Sequence, residues 1–148
     1  MKKLINYLND LRSCTVTKSS AGGGAGSIAK IELEKEDSLY ILYILCTWRI
    51  ENKNTVVASS ADNLDAVTGF VAISTKMLEG KIVDFIEISP YYDLCVTFTD
   101  GFCLRVFCVF SYTSEWDSNW ELWIPDENLS FEITNHFKVK KGKYSKDQ

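Results

Sequence analysis

The stretch Leu94-Cys-Val-Thr-Phe98-Thr-Asp-Gly101-Phe-Cys-Leu104-Arg-Val-Phe107 constrains the fold more than any other part of the 148-residue chain. It holds two alternating apolar segments around an Asp-Gly turn, and its register follows from burial. A two-residue turn would pair Phe98 with Cys103 and set Arg105 among Leu94, Val96 and Phe98. A three-residue loop closed by a glycine bulge pairs Phe98 with Phe102 instead. Leu94, Val96, Phe98, Phe102, Leu104 and Val106 then share one face, with Arg105 opposite. A one-residue slip exchanges the faces, so the spacing predicts the three-residue loop with Gly101 at positive φ.

The same alternation recurs along the chain. Ala29, Ile31 and Leu33 alternate with Lys30, Glu32 and Glu34, a half-buried strand. Residues 39–50 read as one long strand rich in Tyr, Ile and Trp, followed by a four-residue loop, Glu51 to Asn54, and a return over Thr55–Ser59. Residues 82–88 read as a strand before the Pro90–Asp93 turn, and 102–110 as another. In the last hairpin Trp120, Leu122 and Ile124 face Leu129, Phe131 and Ile133 around Pro125–Asn128, while Glu121, Trp123, Ser130 and Glu132 occupy the other face. Leu4, Ile5, Leu8 and Leu11 give residues 2–13 one apolar helical face. A second helix is expected over 64–78, entered at Asp62 or Asn63, weakened at Gly69 and stopped by Gly80. Residues 15–27 read as a connector.

These elements predict an α+β domain of mostly antiparallel sheet with two helices packed on it. The order helix, strands, hairpin occurs twice, over about residues 1–60 and 61–137. Cys46–Ser59 aligns without gaps to Trp120–Ile133, with Ile50/Ile124 and Asn54/Asn128 identical. Matching loop length and apolar parity suggest an internal duplication within a single domain. The second half alone carries the excursion from Asp93 to Asn119, and residues 138–148 read as a frayed basic tail.

Composition narrows the function classes. Hydrophobic residues make up 46% and charged residues 24% of the chain, the balance of a globular protein. The apolar start is broken by Asn6, Asn9 and Asp10, and the run Leu39–Trp48 is about half a membrane span. No secretion signal and no membrane association are expected. Five cysteines without a CxxC spacing suit a reducing cytoplasm, and one histidine argues against a zinc site. The tail from Lys138 holds five Lys and one Asp, so the chain's 16 basic and 20 acidic residues leave 11 and 19 in residues 1–137, a net −8. An acidic body disfavours nucleic acid and suits solubility or a basic protein partner.

No constellation of catalytic residues emerges, and no cofactor or metal is implied. Gly22–Ser27 lacks the Lys and the following helix that a phosphate loop needs. His136 sits beside the tail, away from the apolar strands that hold the cysteines. Asp84 and Glu87 fall on opposite strand faces. Trp48 and Trp120 lie on apolar faces and read as core. Trp116, flanked by Glu115 and Asp117 in a polar loop, and Trp123 on the polar hairpin face are the candidate interaction residues, because exposed Trp is enriched at binding hot spots. Both also have a structural reading, as covers for a sheet.

Trp48-Arg-Ile50, Val56–Asp62, Leu78-Glu-Gly80-Lys-Ile82, the Asp-Gly hairpin and Asn119-Trp120-Glu-Leu122 together resemble small uncharacterised bacterial proteins, some regarded as immunity proteins of toxin–immunity systems. The resemblance spans roughly residues 45–133, rests on structural motifs, and implies no catalytic residues. The expectation is a noncatalytic bacterial protein-binding domain, an immunity protein that neutralises a cognate toxin. The alternatives are a small-molecule-binding domain or enzyme with an aromatic-lined cavity, and a homodimerisation module.

Overall fold

A computed structural model describes residues 3–113 and 117–144. Along the chain run α1 (Leu4–Asp10), β1 (Thr15–Ser20), β2 (Ala29–Lys35), β3 (Ser38–Ile44), β4 (Thr47–Asn52) and β5 (Thr55–Ser59). They are followed by α2 (Phe70–Lys76), β6 (Val83–Ile88), β7 (Leu94–Phe98), β8 (Phe102–Phe107), β9 (Ser118–Ile124), β10 (Leu129–Thr134) and β11 (Val139–Gly142). The strands form two antiparallel sheets, ordered β1-β2-β3-β9-β10-β11 and β5-β4-β8-β7-β6. The mostly antiparallel α+β character is therefore present. Each sheet combines strands from before and after residue 60.

The derived register holds. Leu94 lies opposite Val106 and Val96 opposite Leu104, and Gly101 takes φ 93° at the loop. The inward residues of this hairpin join Trp48 and Ile50 of β4, then meet Ile31, Leu42, Trp120, Leu122 and Ile133 of the other sheet in one buried cluster. Trp48 and Trp120 are wholly buried. Each indole N–H keeps a partner, Ser27 O at 2.7 Å and Tyr92 O at 2.8 Å. An unpaired buried donor would cost about 1–3 kcal/mol. Tyr7, Leu8 and Leu11 of the α1 region and Val71 and Leu78 around α2 complete the cluster.

Several sequence expectations are corrected. The strand expected over 39–50 is two, because at Leu45 and Cys46 the chain leaves one sheet for the other, and both amides turn to Asn119 O at 2.9 and 3.0 Å. An unbroken apolar run carries no mark of that change, since both strands are buried. Residues 15–20, read as connector, form edge strand β1, which buries Val16 and Ser19. The first hairpin turns on two residues, Lys53 and Asn54, because Asn52 pairs with Thr55. The expected strand 102–110 ends at Phe107.

The second helix is confined to Phe70–Lys76 and its N-cap is Gly69. Asp62, Asn63 and Asp65 instead accept bonds from Ser59 N, Asp65 N and both Val67 N and Thr68 N, so their side chains build the loop before it. The tail is not frayed over its first part: β11 pairs with β10, and Lys140 stands opposite Glu132. No helix among the described residues is long and apolar enough to cross a membrane.

Candidate functional site

The two passages between the sheets meet at one end of the molecule. There the segments 45–46, 108–111, 117–119 and 135–137 lie side by side, tied by Asn119. Its buried amide accepts from Val109 N at 2.8 Å and donates to Val109 O at 3.0 Å and Thr134 O at 3.2 Å. Ser111 N donates to Asn135 O and Asn135 N to Asp117 O, both at 3.0 Å. These bonds leave a groove of ≈ 480 Å³ lined by Asp117, Ser118, Asn119, Glu121, Asn135 and Cys46, among others.

The groove joins the carboxylates of Asp117 and Glu121 to the apolar side chains of Ile28, Leu45 and Val109. No Lys or Arg lines it among the described residues. Burial raises the Glu121 carboxyl above its ordinary value, against the bond that Trp123 Nε1 donates to its Oε1 at 3.2 Å, and Glu132 directly across the strand pair adds to the rise. Asn135 Oδ1 is buried without a hydrogen-bond partner. The hydrogen bond with Cys108, then burial, drive the Cys46 pKa strongly upward and favour its thiol form. The arrangement accepts hydrogen bonds and positive charge.

An exposed aromatic cluster adjoins it. Phe110, next to Val109, lies 4.7 Å from the Tyr112 ring, 5.6 Å from His136 and 5.5 Å from Phe137, which in turn meets Tyr91 at 5.5 Å. Tyr112 is 87% exposed, Tyr91 66% and Phe110 47%. Exposed rings in mutual contact at these separations offer apolar and aromatic contact surface.

Of the four residues singled out in the sequence, Glu115 and Trp116 lie outside the described residues. Asp117 is exposed and lines the groove. Trp123 is only 4% exposed, covered by Tyr43 (5.0 Å) and Tyr144 (5.6 Å), and it reaches the groove through Glu121. Glu121, Asn135, Phe110 and Tyr112 were not singled out. Strand alternation placed Glu121 beside Trp123, but only folding brings residues 109–112 against 135–137.

Two other surfaces are notable. An apolar groove of ≈ 620 Å³ runs between α1 and β10–β11, lined by Leu4, Ile5, Ile88, Tyr92, Phe131 and Val139 with Lys3 and Lys141 at its polar points. On α2, Phe70, Ile73 and Met77 form an exposed apolar stripe at helical spacing.

On the outer face of the second sheet, Glu51 Oε2 accepts from Arg49 Nε at 2.7 Å and Arg105 Nε at 2.8 Å. Burial opposes the Glu51 charge, yet the two guanidinium groups outweigh it and hold its pKa below the ordinary value. Comparison with protein-family models, with curated proteins and with solved structures gives no match.

Proposed function

We propose that the chain is a noncatalytic protein-binding domain that docks a basic partner at the end of the molecule where the two sheets exchange strands. The observation that carries this reading is the exposed cluster Tyr91, Phe110 and Tyr112, joined through Phe110 to Val109 of a groove lined by Asp117 and Glu121. Aromatic rings beside a groove with carboxylates in its lining match the anatomy of binding hot spots. A Lys or Arg of the partner fills the groove, and the rings pack around its stem. The acidic body steers such a partner, and the sequence resemblance makes a bacterial toxin the leading candidate.

The test is co-expression with the product of the adjacent gene. A stoichiometric complex that Tyr112→Ala and Asp117→Lys weaken, while a substitution at Ile73 on α2 leaves it intact, supports the proposal. No complex with that product sinks the toxin-neutralising reading. Equal loss from the Ile73 variant would move the interface to α2.

The apolar groove beside α1 favours a second reading, binding of a small amphipathic carboxylate, since 620 Å³ is within the range of ligand pockets. Its test is a thermal shift with medium-chain carboxylates, compared between the wild-type chain and Phe131→Ala.

We further propose that the halves arose by duplication. Each supplies a helix, a three-stranded meander in one sheet and a hairpin in the other, and β11 extends the second hairpin. Ser13 N donates to Val83 O and Val16 N to Lys81 O, while Gly80 N donates to Val16 O and Val83 N to Cys14 O. Residues 13, 14 and 16 thus correspond to 80, 81 and 83 about a pseudo-twofold relation, and a register shift follows both Val16 and Val83.

A further inference from the structure

The outer face of the second sheet holds two thiols that the groove does not use. Cys95 on β7 lies opposite Arg105, and Cys103 on β8 lies opposite Thr97, so the cysteines are diagonal neighbours on paired strands. Their sulfurs are 2.9 Å apart. A disulfide spans about 2.05 Å, so closing the bond needs a shift of about 0.9 Å, within the reach of a small side-chain rotation. The hydrogen-bonded ladder on both sides keeps the pair together.

The two cysteines differ in access. Cys95 is half-buried, and it lines a shallow groove of ≈ 330 Å³ with Glu87, Asp93, Arg105 and Phe107. Cys103 is buried. Burial, then the hydrogen bond with Cys95, push the Cys103 thiol up to about 12, against the pull of Arg105. This difference in access sets the order of attack, because half-buried Cys95 meets a peroxide before buried Cys103 does.

We infer that Cys95 and Cys103 are an oxidation site that closes a reversible intrachain disulfide when the chain meets a peroxide. The Cys95 thiolate attacks one peroxide oxygen and the O–O bond breaks, leaving Cys95 as a sulfenic acid. The departing hydroxide takes up the proton that the Cys95 thiol gave up and leaves as water. The Cys103 sulfur then attacks the Cys95 sulfur, and the S–O bond breaks. The hydroxyl group departs as a second water, carrying the Cys103 proton. The two sulfurs together lose two electrons, and one hydrogen peroxide becomes two waters. An external dithiol reverses the bond by exchange, taking up the oxidation as its own disulfide.

This inference is independent of the proposed partner, and its test uses the full-length wild-type chain. The reduced protein is treated with hydrogen peroxide under native conditions, alkylated, digested and mapped by mass spectrometry. The expected product links the Cys95 and Cys103 peptides with the loss of two hydrogens, and dithiothreitol returns both thiols, while buried Cys14 stays reduced. Two results would overturn the inference: Cys95 and Cys103 both remaining alkylatable after peroxide, or a bond between Cys46 and Cys108 with the other pair left as thiols. The near-isosteric variants test the order of attack. Cys103→Ser should stall at a Cys95 sulfenic acid trapped by dimedone, and Cys95→Ser should leave Cys103 unoxidised. If Cys103 in the Cys95→Ser chain oxidises as fast as the wild-type pair, the assigned order is wrong.

Discussion

Asn119 grips Val109 by both of its backbone groups, accepting from its N–H at 2.8 Å and donating to its carbonyl at 3.0 Å. Its own backbone carbonyl receives Leu45 N and Cys46 N. One buried residue thus fixes both passages between the sheets. Asn119→Ala keeps the backbone bonds but strips partners from Val109 and from one of the bonds to Thr134 O. Leaving buried polar groups unsatisfied costs about 1–3 kcal/mol each, so a loss of roughly 2–4 kcal/mol is expected in urea unfolding. An unchanged midpoint would show that the passages hold without it.

The pH dependence of stability should report Glu121. Burial raises its folded pKa above the ordinary 4.5, with Glu132 adding to the rise. The folded state therefore binds this proton more tightly than the unfolded chain does. That contribution is complete below the ordinary value and is lost as pH rises through the folded value. Glu121→Gln retains an acceptor for Trp123 and removes the titration. The difference in melting temperature, variant minus wild type, should move in the variant's favour between about pH 4 and about pH 7. A difference that stays constant with pH contradicts the assignment.

Binding and stability should separate at the aromatic rim. Tyr112 is 87% exposed and contacts the ring of Phe110. Tyr112→Ala is expected to change unfolding free energy by no more than about 0.5 kcal/mol. It should weaken a bound partner by about tenfold or more if the ring is a hot spot. Calorimetry of the complex beside thermal melts of the free chain distinguishes the two effects.

Gly69 and Gly24 should respond in opposite ways to alanine. A Cβ at Gly69 would lie 2.3 Å from Asn63 O and 2.7 Å from both Asp65 N and Asp65 O. These are backbone atoms of the turn that leads into α2, so Gly69→Ala must open that turn, at a cost of about 1–3 kcal/mol. A Cβ at Gly24 meets nothing within 4 Å. Gly24→Ala should be neutral or stabilise by about 0.4–1 kcal/mol through the unfolded chain. Paired chemical denaturation curves of the two variants decide this.

How much of this was legible beforehand varied by element. The β7–β8 register followed from residue faces alone, because a slip would have put Arg105 into the core. The last hairpin followed for the same reason, with Ile124 opposite Leu129 and Trp120 opposite Ile133. Asp117 was marked as a site residue by its loop. Glu121 and Tyr112 were not, because their meaning depends on Asn135 and Phe110, which folding brings beside them.

The sequence by itself determined the core-facing side and the register of the β7–β8 and β9–β10 hairpins, since alternation and turn chemistry act over a few residues. The exchange of strands between sheets at Leu45–Cys46, the pairing of the basic tail with β10, and the convergence of Asp117, Glu121, Phe110 and Tyr112 were decided only by the tertiary structure. Local pattern encodes which side of a strand is apolar. It does not encode which distant strand satisfies its backbone edge, and that choice is settled by packing and hydrogen bonding across the whole core.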